Sequence, residues 1–529
     1  MKPDYIIIGA GSAGCVLANR LSENPKIQVV LMEAGGDDRK LEIQIPAAYS
    51  ALNYTKVNWN FYTETQPYVN HRQMYQPRGK ALGGSSAINC MAYIRGNRED
   101  YNDWERWGNK GWNYQAMLPY FKKSEDNQQF QNEFHGRGGL LNVAHNQYIT
   151  PLAEAFVQAN IQNGIPENLD FNGSTQEGAG KFQFTIKDGK RVSTAAAFIK
   201  PVLNRPNLKV ITRAYITKLL YKNDAVVGVE YLQEKSKNPE RLEVAKEVIL
   251  SAGAFQSPQI LMLSGIGDAD YLQLFGIDCR LDLKGVGQNL SDHLFVNMNV
   301  LGSLKNTSYN TVLNFKNVLK YFIQKKGPLT SSPLEACSFV RTKEGLDRPD
   351  IQFHFSPAWG YDIHDFDGRP KSEGFTILPT LLKPKSRGFI GLHSNNPLDA
   401  PLIDPQYFSN PEDMQTLLRG VKKAKEVLLS EAFDHLRIGK QLNFPAKSDT
   451  DEELIEHIKN ACETVYHPCG TCKMGIDEMA VVSPEGLKVR GIAGLRVVDA
   501  SVIPEVIAGN TNAPVIAVAE KAADLILNG

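Results

Sequence analysis

The most regular pattern of apolar and polar positions opens the chain. Tyr5-Ile6-Ile7-Ile8 is an uninterrupted apolar run of strand length, followed at once by Gly9-Ala10-Gly11-Ser12-Ala13-Gly14. Val16, Leu17 and Leu21 then recur at helical spacing until Asn24-Pro25, and Val29-Val30-Leu31-Met32 forms a second apolar run ending at Glu33. The segment predicts a strand, a glycine turn, a helix and a second buried strand. Between 37 and 77 the periodicity fades into polar and aromatic residues, which reads as excursion loops.

A second glycine-rich segment, Arg78-Gly79-Lys80-Ala81-Leu82-Gly83-Gly84-Ser85-Ser86, implies close approach of the backbone to a partner. From 207 to 253 the pattern predicts a meander with strands over Leu208 to Thr212, Ile216 to Tyr221, Val226 to Tyr231 and Leu242 to Leu250. A short helix is expected next, with Ser257 as N-cap, Pro258 in its first turn and Gly265 after its end. From about 300 to 464 the texture becomes aromatic-rich, with His354, Phe355, Trp359, Tyr361 and Phe366, marking the candidate substrate domain. Within it Asn410-Pro411 opens a helix that carries Met414, Leu417, Leu418, Val421, Ala424 and Leu428 on one face. A closing helix is expected over Pro514 to Leu527.

The chain has 529 residues, enough for two or three packed units at about 150 residues each. Its 58 basic and 58 acidic side chains cancel, which argues against nucleic acid as a partner. No apolar stretch reaches the roughly 18 residues of a membrane span, and Met1-Lys2-Pro3-Asp4 runs directly into a strand, so a cytoplasmic protein is expected. Seven scattered cysteines, an odd number, do not suggest a disulfide scaffold.

The first glycine turn, with Gly9, Gly11, Ser12, Ala13 and Gly14, aims backbone N–H groups and a helix N-terminus at a pyrophosphate. Glu33, 19 residues after Gly14 and followed by Ala34, would accept hydrogen bonds from a ribose diol and repel a 2′-phosphate. The expected ligand is therefore FAD or NAD rather than NADP, and a purely structural glycine turn is the alternative.

Four ordered blocks decide between these. Gly79 to Asn89 continuing to Tyr93 and Gly96, Gly253-Ala254-Phe255-Gln256-Ser257-Pro258 running to Gly267, Tyr466-His467-Pro468-Cys469-Gly470-Thr471, and Asp499-Ala500-Ser501 with Gly509 to Pro514 resemble the signatures of the glucose-methanol-choline (GMC) oxidoreductase family. The resemblance spans nearly the whole chain. It implies an α/β fold in which a Rossmann-like FAD-binding domain (1–155, 190–300 and 465–529) is interleaved with an α+β substrate-binding domain (156–189 and 301–464) built on an antiparallel sheet. It also implies that Gly83, Ser85, Asn89 and Ala92 line the flavin, that Ile216 touches the adenine region, and that Asp499, Ala500 and Thr511 belong to the cofactor site. Some relatives attach FAD through a histidine in the glycine-rich segment. The equivalent position here is Ile88, so non-covalent FAD is expected.

His467 is the expected catalytic base, because an alcohol gives up hydride readily only as its hydroxyl proton leaves, and a neutral imidazole suits that task. A structural histidine is the alternative reading. Asn510 resembles the family's second active-site position, where an amide could hold the substrate oxygen; Asn512 and a turn role are the alternatives. Pro468-Cys469-Gly470-Thr471-Cys472 contains a deaminase-like zinc half, but no histidine is followed by Glu two positions on, so no metal is expected. The cysteine pair reads as chance rather than a redox dithiol, and no Gly-x-Ser-x-Gly elbow exists.

Within the family the chain is similar to bacterial alkane-pathway alcohol dehydrogenases and to choline dehydrogenase, with Gln183-Phe184-Thr185 and Pro384-Lys385-Ser386-Arg387-Gly388 looking more like the former. The resemblance implies oxidation of a primary alcohol to an aldehyde, with electrons passing to a quinone-type acceptor or oxygen. Choline oxidation, for which Glu335 and Trp359 could hold the ammonium, and FAD-containing hydroxynitrile cleavage are the alternatives. Val312 to Lys326 forms an amphipathic basic helix candidate that could rest on the inner face of a membrane; a packed helix with solvated lysines is the other reading.

Overall fold

A computed structural model describes residues 2–234, 236, 238–359, 372–439 and 450–528. Tyr361 and Phe366 lie outside them. The opening apolar runs become Tyr5–Ile8 and Val29–Glu33, the centre of a five-stranded parallel sheet. Its order is Leu208–Thr212, Val29–Glu33, Tyr5–Ile8, Glu247–Leu250, Leu495–Val497. Ile6 lies between Val30 and Val248, and the sheet is covered by the helix Ser12–Leu21 and by the strand Ala225–Gln233, which packs on Glu247–Leu250, so its side chains are buried as a parallel sheet requires. The helix Ser12–Leu21 packs against the closing helix Asn512–Asn528 on that sheet.

The second layer is a seven-stranded sheet, in order Cys462–Thr464, Leu294–Val296, Gly374–Leu381, Ile351–Ser356, Ala336–Val340 and Gly178–Lys181, with Met298–Leu301 also pairing to Gly374–Leu381. Ile351, Phe353 and Phe355 point into a core shared with the helices Pro151–Gln162 and Pro411–Leu428. Strand alternation therefore turns His354 and Leu378 to the opposite face, toward the parallel-sheet layer. Asn410 caps the second of these helices through its side chain, as its sequence predicts.

Three expectations are corrected. Leu208–Thr212 is not part of a meander; it pairs in parallel with Val29–Glu33, and the meander is Ala214–Lys222, Ala225–Gln233 and Glu240–Glu243. The run from Leu242 to Leu250 splits, because its second half, Glu247–Leu250, joins the parallel sheet. The helix beginning after the Ser251-Ala252 turn spans Gly253–Leu263, so Ser257 and Pro258 are interior rather than terminal. Its N-terminus is satisfied from afar: Asp499 Oδ2 accepts from Gly253 N at 2.8 Å and from Ser257 Oγ at 2.6 Å. Pro258 offers no N–H to Ala254, whose carbonyl instead accepts from Thr471 Oγ1 at 2.6 Å. Gly265 does follow the helix, at φ 84°.

The layers also divide the chain differently from the expected boundaries. Leu294–Val296 and Met298–Leu301 already belong to the antiparallel sheet, so the chain crosses before 294 rather than at 300. The helix Pro151–Gln162 packs as a whole in the antiparallel layer's core, so the earlier crossing precedes 151 rather than falling at 155.

Candidate active site

One continuous cavity runs between the two layers, from the first glycine turn to His467. Its nucleotide end is built from the turn after the first strand. Gly9, at φ 95°, lies so close to the next strand that a Cβ there would meet Ser251 O at 2.4 Å. Gly14 packs the helix on the strand, since a Cβ would stand 1.9 Å from Gly9 O, and it lies behind the wall rather than in it. At Gly11 a Cβ would meet no protein atom within 4 Å. Glu33 accepts from Ala10 N at 2.9 Å and Gly35 N at 2.8 Å and faces the same space as Ala34. Burial pushes its carboxyl up to about 7.

Of the other expected cofactor residues, Ser12, Ala13, Ser85, Asn89, Ala92, Ile216, Asp499, Ala500 and Thr511 all line the cavity. Gly83 does not: its N–H donates to Ala10 O at 2.8 Å, and Gly84 takes its place in the wall, close against Gly11. The Asp499 carboxylate is already engaged by Gly253, Ser257 and Ser501, so it braces the helix rather than presenting free oxygens. These features fit a dinucleotide: a bare glycine opening, a helix N-terminus, and an acid at the ribose position.

At the other end stand His467 and Asn510, with Asn510 Nδ2 3.3 Å from His467 Nε2. The loop that carries His467 is held by Asp292, whose Oδ1 accepts from His467 N at 2.7 Å and whose Oδ2 accepts from Tyr407 at 2.7 Å and from Thr464. Tyr466, immediately before the histidine, sits at φ 66°, a conformation held by this bonding.

His293, which the sequence did not single out, stands behind His467. Its Nδ1 is 3.0 Å from His467 Nδ1, and its Nε2 is 3.0 Å from Leu382 O. A carbonyl can only accept, so His293 carries its proton on Nε2 and offers a lone pair at Nδ1. His467 must then donate from Nδ1, leaving a lone pair on Nε2, which is the nitrogen that Asn510 donates to. Both ends of the relay, a carbonyl and an amide, select the same tautomer. Burial holds His293 down to about 4, and it holds His467 well below the ordinary value, with His293, His354 and Arg78 adding to the effect. Both imidazoles are therefore neutral at physiological pH.

Sequence reasoning placed His354 in the candidate substrate domain without giving it a role and missed Phe295, Leu334 and Leu378; all four line the cavity. The strands of Phe295, His354 and Leu378 read as ordinary core, and only alternation against a known sheet separates the two faces. His354 is buried and bonds Thr380 Oγ1 at 3.0 Å through Nδ1. Arg78 lies in the wall, donating to Tyr466 O at 2.7 Å. Glu335 and Trp359 do not line it; Glu335 Oε2 instead accepts from Thr150 N and Oγ1. Cys469 and Cys472 are buried free thiols among apolar neighbours, raised far above the usual thiol range by burial.

Models of the N- and C-terminal regions of the GMC oxidoreductase family match residues 3–295 and 384–519. An alcohol dehydrogenase (acceptor) of Pseudomonas putida is 44% identical over 99% of this chain and 95% of its own length. An oxygen-dependent choline dehydrogenase of Sinorhizobium fredii is 41% identical over 100% and 96%. Among solved structures, formate oxidase of Aspergillus oryzae superposes with a TM-score of 0.93 at 28% identity, covering 100% of this chain and 98% of that one. Pyridoxine 4-oxidase of Mesorbium loti does so with 0.90 at 29%, covering both chains fully. The chain belongs to the GMC oxidoreductase family. It is a FAD-dependent oxidoreductase acting on CH–OH donors.

No histidine stands in the cavity wall near the Gly84–Ala87 turn, where Ile88 lies. Acid precipitation of the yellow protein is accordingly expected to release free flavin into the supernatant; flavin left in the pellet would show a covalent link.

Proposed function

We propose that the protein oxidises an uncharged primary alcohol with an apolar tail to the aldehyde, with His467 as the base, and passes the electrons to a quinone-type acceptor or oxygen. The observation that carries this reading is the relay from Leu382 O through His293 to His467, which leaves the Nε2 lone pair beside Asn510 in the cavity. FAD, when bound, supplies the two-electron acceptor for the hydride from the carbinol carbon. His467 Nε2 takes the hydroxyl proton, while Asn510 Nδ2, with one N–H on His467 Nε2, would donate its second to the substrate oxygen and orient it. Gly9, Gly11, Ser12, Ala13 and Glu33 would hold the dinucleotide, and Ser85, Asn89 and Ala92 the flavin region.

The alcohol's tail would meet Phe295, Leu334 and Leu378. Among the described residues the wall's only carboxylates are Glu33 and Asp499, one beside the first glycine turn and the other saturated by hydrogen bonds. The wall's one cation among the described residues, Arg78, sits beside the base instead. A trimethylammonium group there would be desolvated against positive charge with no counterion, which disfavours choline. The test is anaerobic mixing of the FAD enzyme with straight-chain primary alcohols, benzyl alcohol and choline. Bleaching of the oxidised flavin band by the uncharged alcohols but not by choline is expected. Bleaching by choline alone would reverse the substrate assignment, and no bleaching by any of them would favour hydroxynitrile cleavage.

Because His467 is already neutral well below 6.5, protons do not compete for its lone pair near neutrality. The rate of flavin bleaching should stay level as pH falls from 8 and decline only below the ordinary histidine value. A decline centred above about 6.5 would contradict the buried, neutral relay.

A further inference from the structure

We propose that the outward face of the helix Phe315–Gln324 docks on an anionic lipid bilayer. The sequence between 301 and 334 contains five lysines and no acidic residue. In the structure Asn314 caps the helix through its side chain, and Phe315, Leu319, Phe322 and Ile323 form one stripe on its outer side. Phe315 is 81% exposed and Ile323 70%, and Leu313 just before the helix is exposed as well. A packed surface helix turns such a stripe inward; here the inward side is Val318 and Tyr321 instead, packed on Ile45, Ala48 and Leu329. Lys316 and Lys320 are exposed along one flank of the apolar stripe, and Lys326 follows at the C-terminal end.

An apolar stripe that is solvent-facing among the described residues, whose only charged neighbours along the helix are lysines, matches a layer with acyl chains below and anionic headgroups above. A soluble acidic protein would be met by the lysines but would leave Phe315 and Ile323 without apolar partners. No helix among the described residues can cross a membrane, so the contact is peripheral. The helix lies one layer from the active-site cavity: it packs on Ala48, and the next residue, Tyr49, lines the cavity wall. An apolar alcohol or quinone dissolved in the bilayer would thus be held near the cavity. That consequence rests on the proposed substrate, whereas the docking itself does not.

The test is co-sedimentation of the FAD-loaded protein with vesicles of phosphatidylcholine, with and without phosphatidylglycerol. The unsubstituted protein should pellet with the phosphatidylglycerol vesicles and more weakly with phosphatidylcholine alone. Phe315→Ser with Ile323→Ser should lower binding to both, and Lys316→Glu with Lys320→Glu should lower binding to the anionic vesicles, each by roughly tenfold. All these side chains are exposed, so flavin content and bleaching by a water-soluble alcohol should not change. Failure of the unsubstituted protein to pellet, or binding insensitive to the apolar substitutions, overturns the proposal. Lysine reversal without effect overturns the choice of an anionic surface. If sedimentation velocity without lipid shows the apolar substitutions converting a dimer to a monomer, while no protein pellets with vesicles, the face is an interface between copies. Vesicle binding is read without turnover, so its failure leaves the alcohol reading standing.

Discussion

His467→Ala is expected to retain FAD and to slow anaerobic bleaching by a primary alcohol about 10²- to 10⁴-fold, the usual contribution of a positioned general base. The substitution removes the one ring nitrogen that the His293 relay leaves unprotonated beside Asn510. The backbone at 467 is anchored through its own N–H to Asp292, so the loop should keep its course without the imidazole. Most of the residues expected to hold the dinucleotide belong to the first glycine turn, Glu33 at the end of the second strand and the second glycine-rich segment, none of which depends on the ring. Stopped-flow spectroscopy with flavin content measured in parallel separates the two effects. Unchanged reduction kinetics in a variant with full flavin content would remove His467 from the chemistry; loss of flavin would make it a cofactor residue instead.

The second large effect divides two glycines three positions apart. Gly14→Ala places a methyl 1.9 Å from Gly9 O, so helix and strand must part and the fold should be destabilised together with FAD binding. Gly11→Ala meets no protein atom within 4 Å, so the protein should fold with an unchanged melting temperature when stripped of flavin. Its methyl projects into the space assigned to the dinucleotide, and overpacking of about 1–3 kcal/mol would weaken FAD roughly 5- to 150-fold. Thermal unfolding of the stripped proteins and FAD titration test both. Full FAD affinity in Gly11→Ala would mean that the cofactor does not approach this turn.

Much of this was legible from local pattern. The strand-turn-helix-strand unit is a nearly continuous stretch of backbone, and its glycines, its helical spacing and Glu33 are close in sequence, so local reading reaches them. The same holds for the Asn410 cap. Reading failed where a distant partner overruled a local signal. Ser257-Pro258 looks like a helix start, but Asp499, more than 200 residues away, supplies the N-terminal acceptor and allows the helix to begin at Gly253. Leu208–Thr212 has the composition of a meander strand, yet its free edge is matched by Val29–Glu33, and pairing, not propensity, assigns a strand to a sheet.

His467 and Asn510 could be named as candidates from the family resemblance of their surroundings, and so could the turn expected to meet a dinucleotide. What the order of residues could not supply is the direction of the protons. That depends on His293 lying 3.0 Å from His467 and on the Leu382 carbonyl behind it, partners separated by 174 and 89 residues along the chain. The outward turn of the Phe315–Gln324 stripe is of the same kind. An amphipathic pattern gives a helix two faces, and only packing of Val318 and Tyr321 on Ile45 decides which of them is left to the solvent. Local pattern acts through neighbours a few residues apart; tautomers and exposed faces are set by neighbours in space, which only the folded chain brings together.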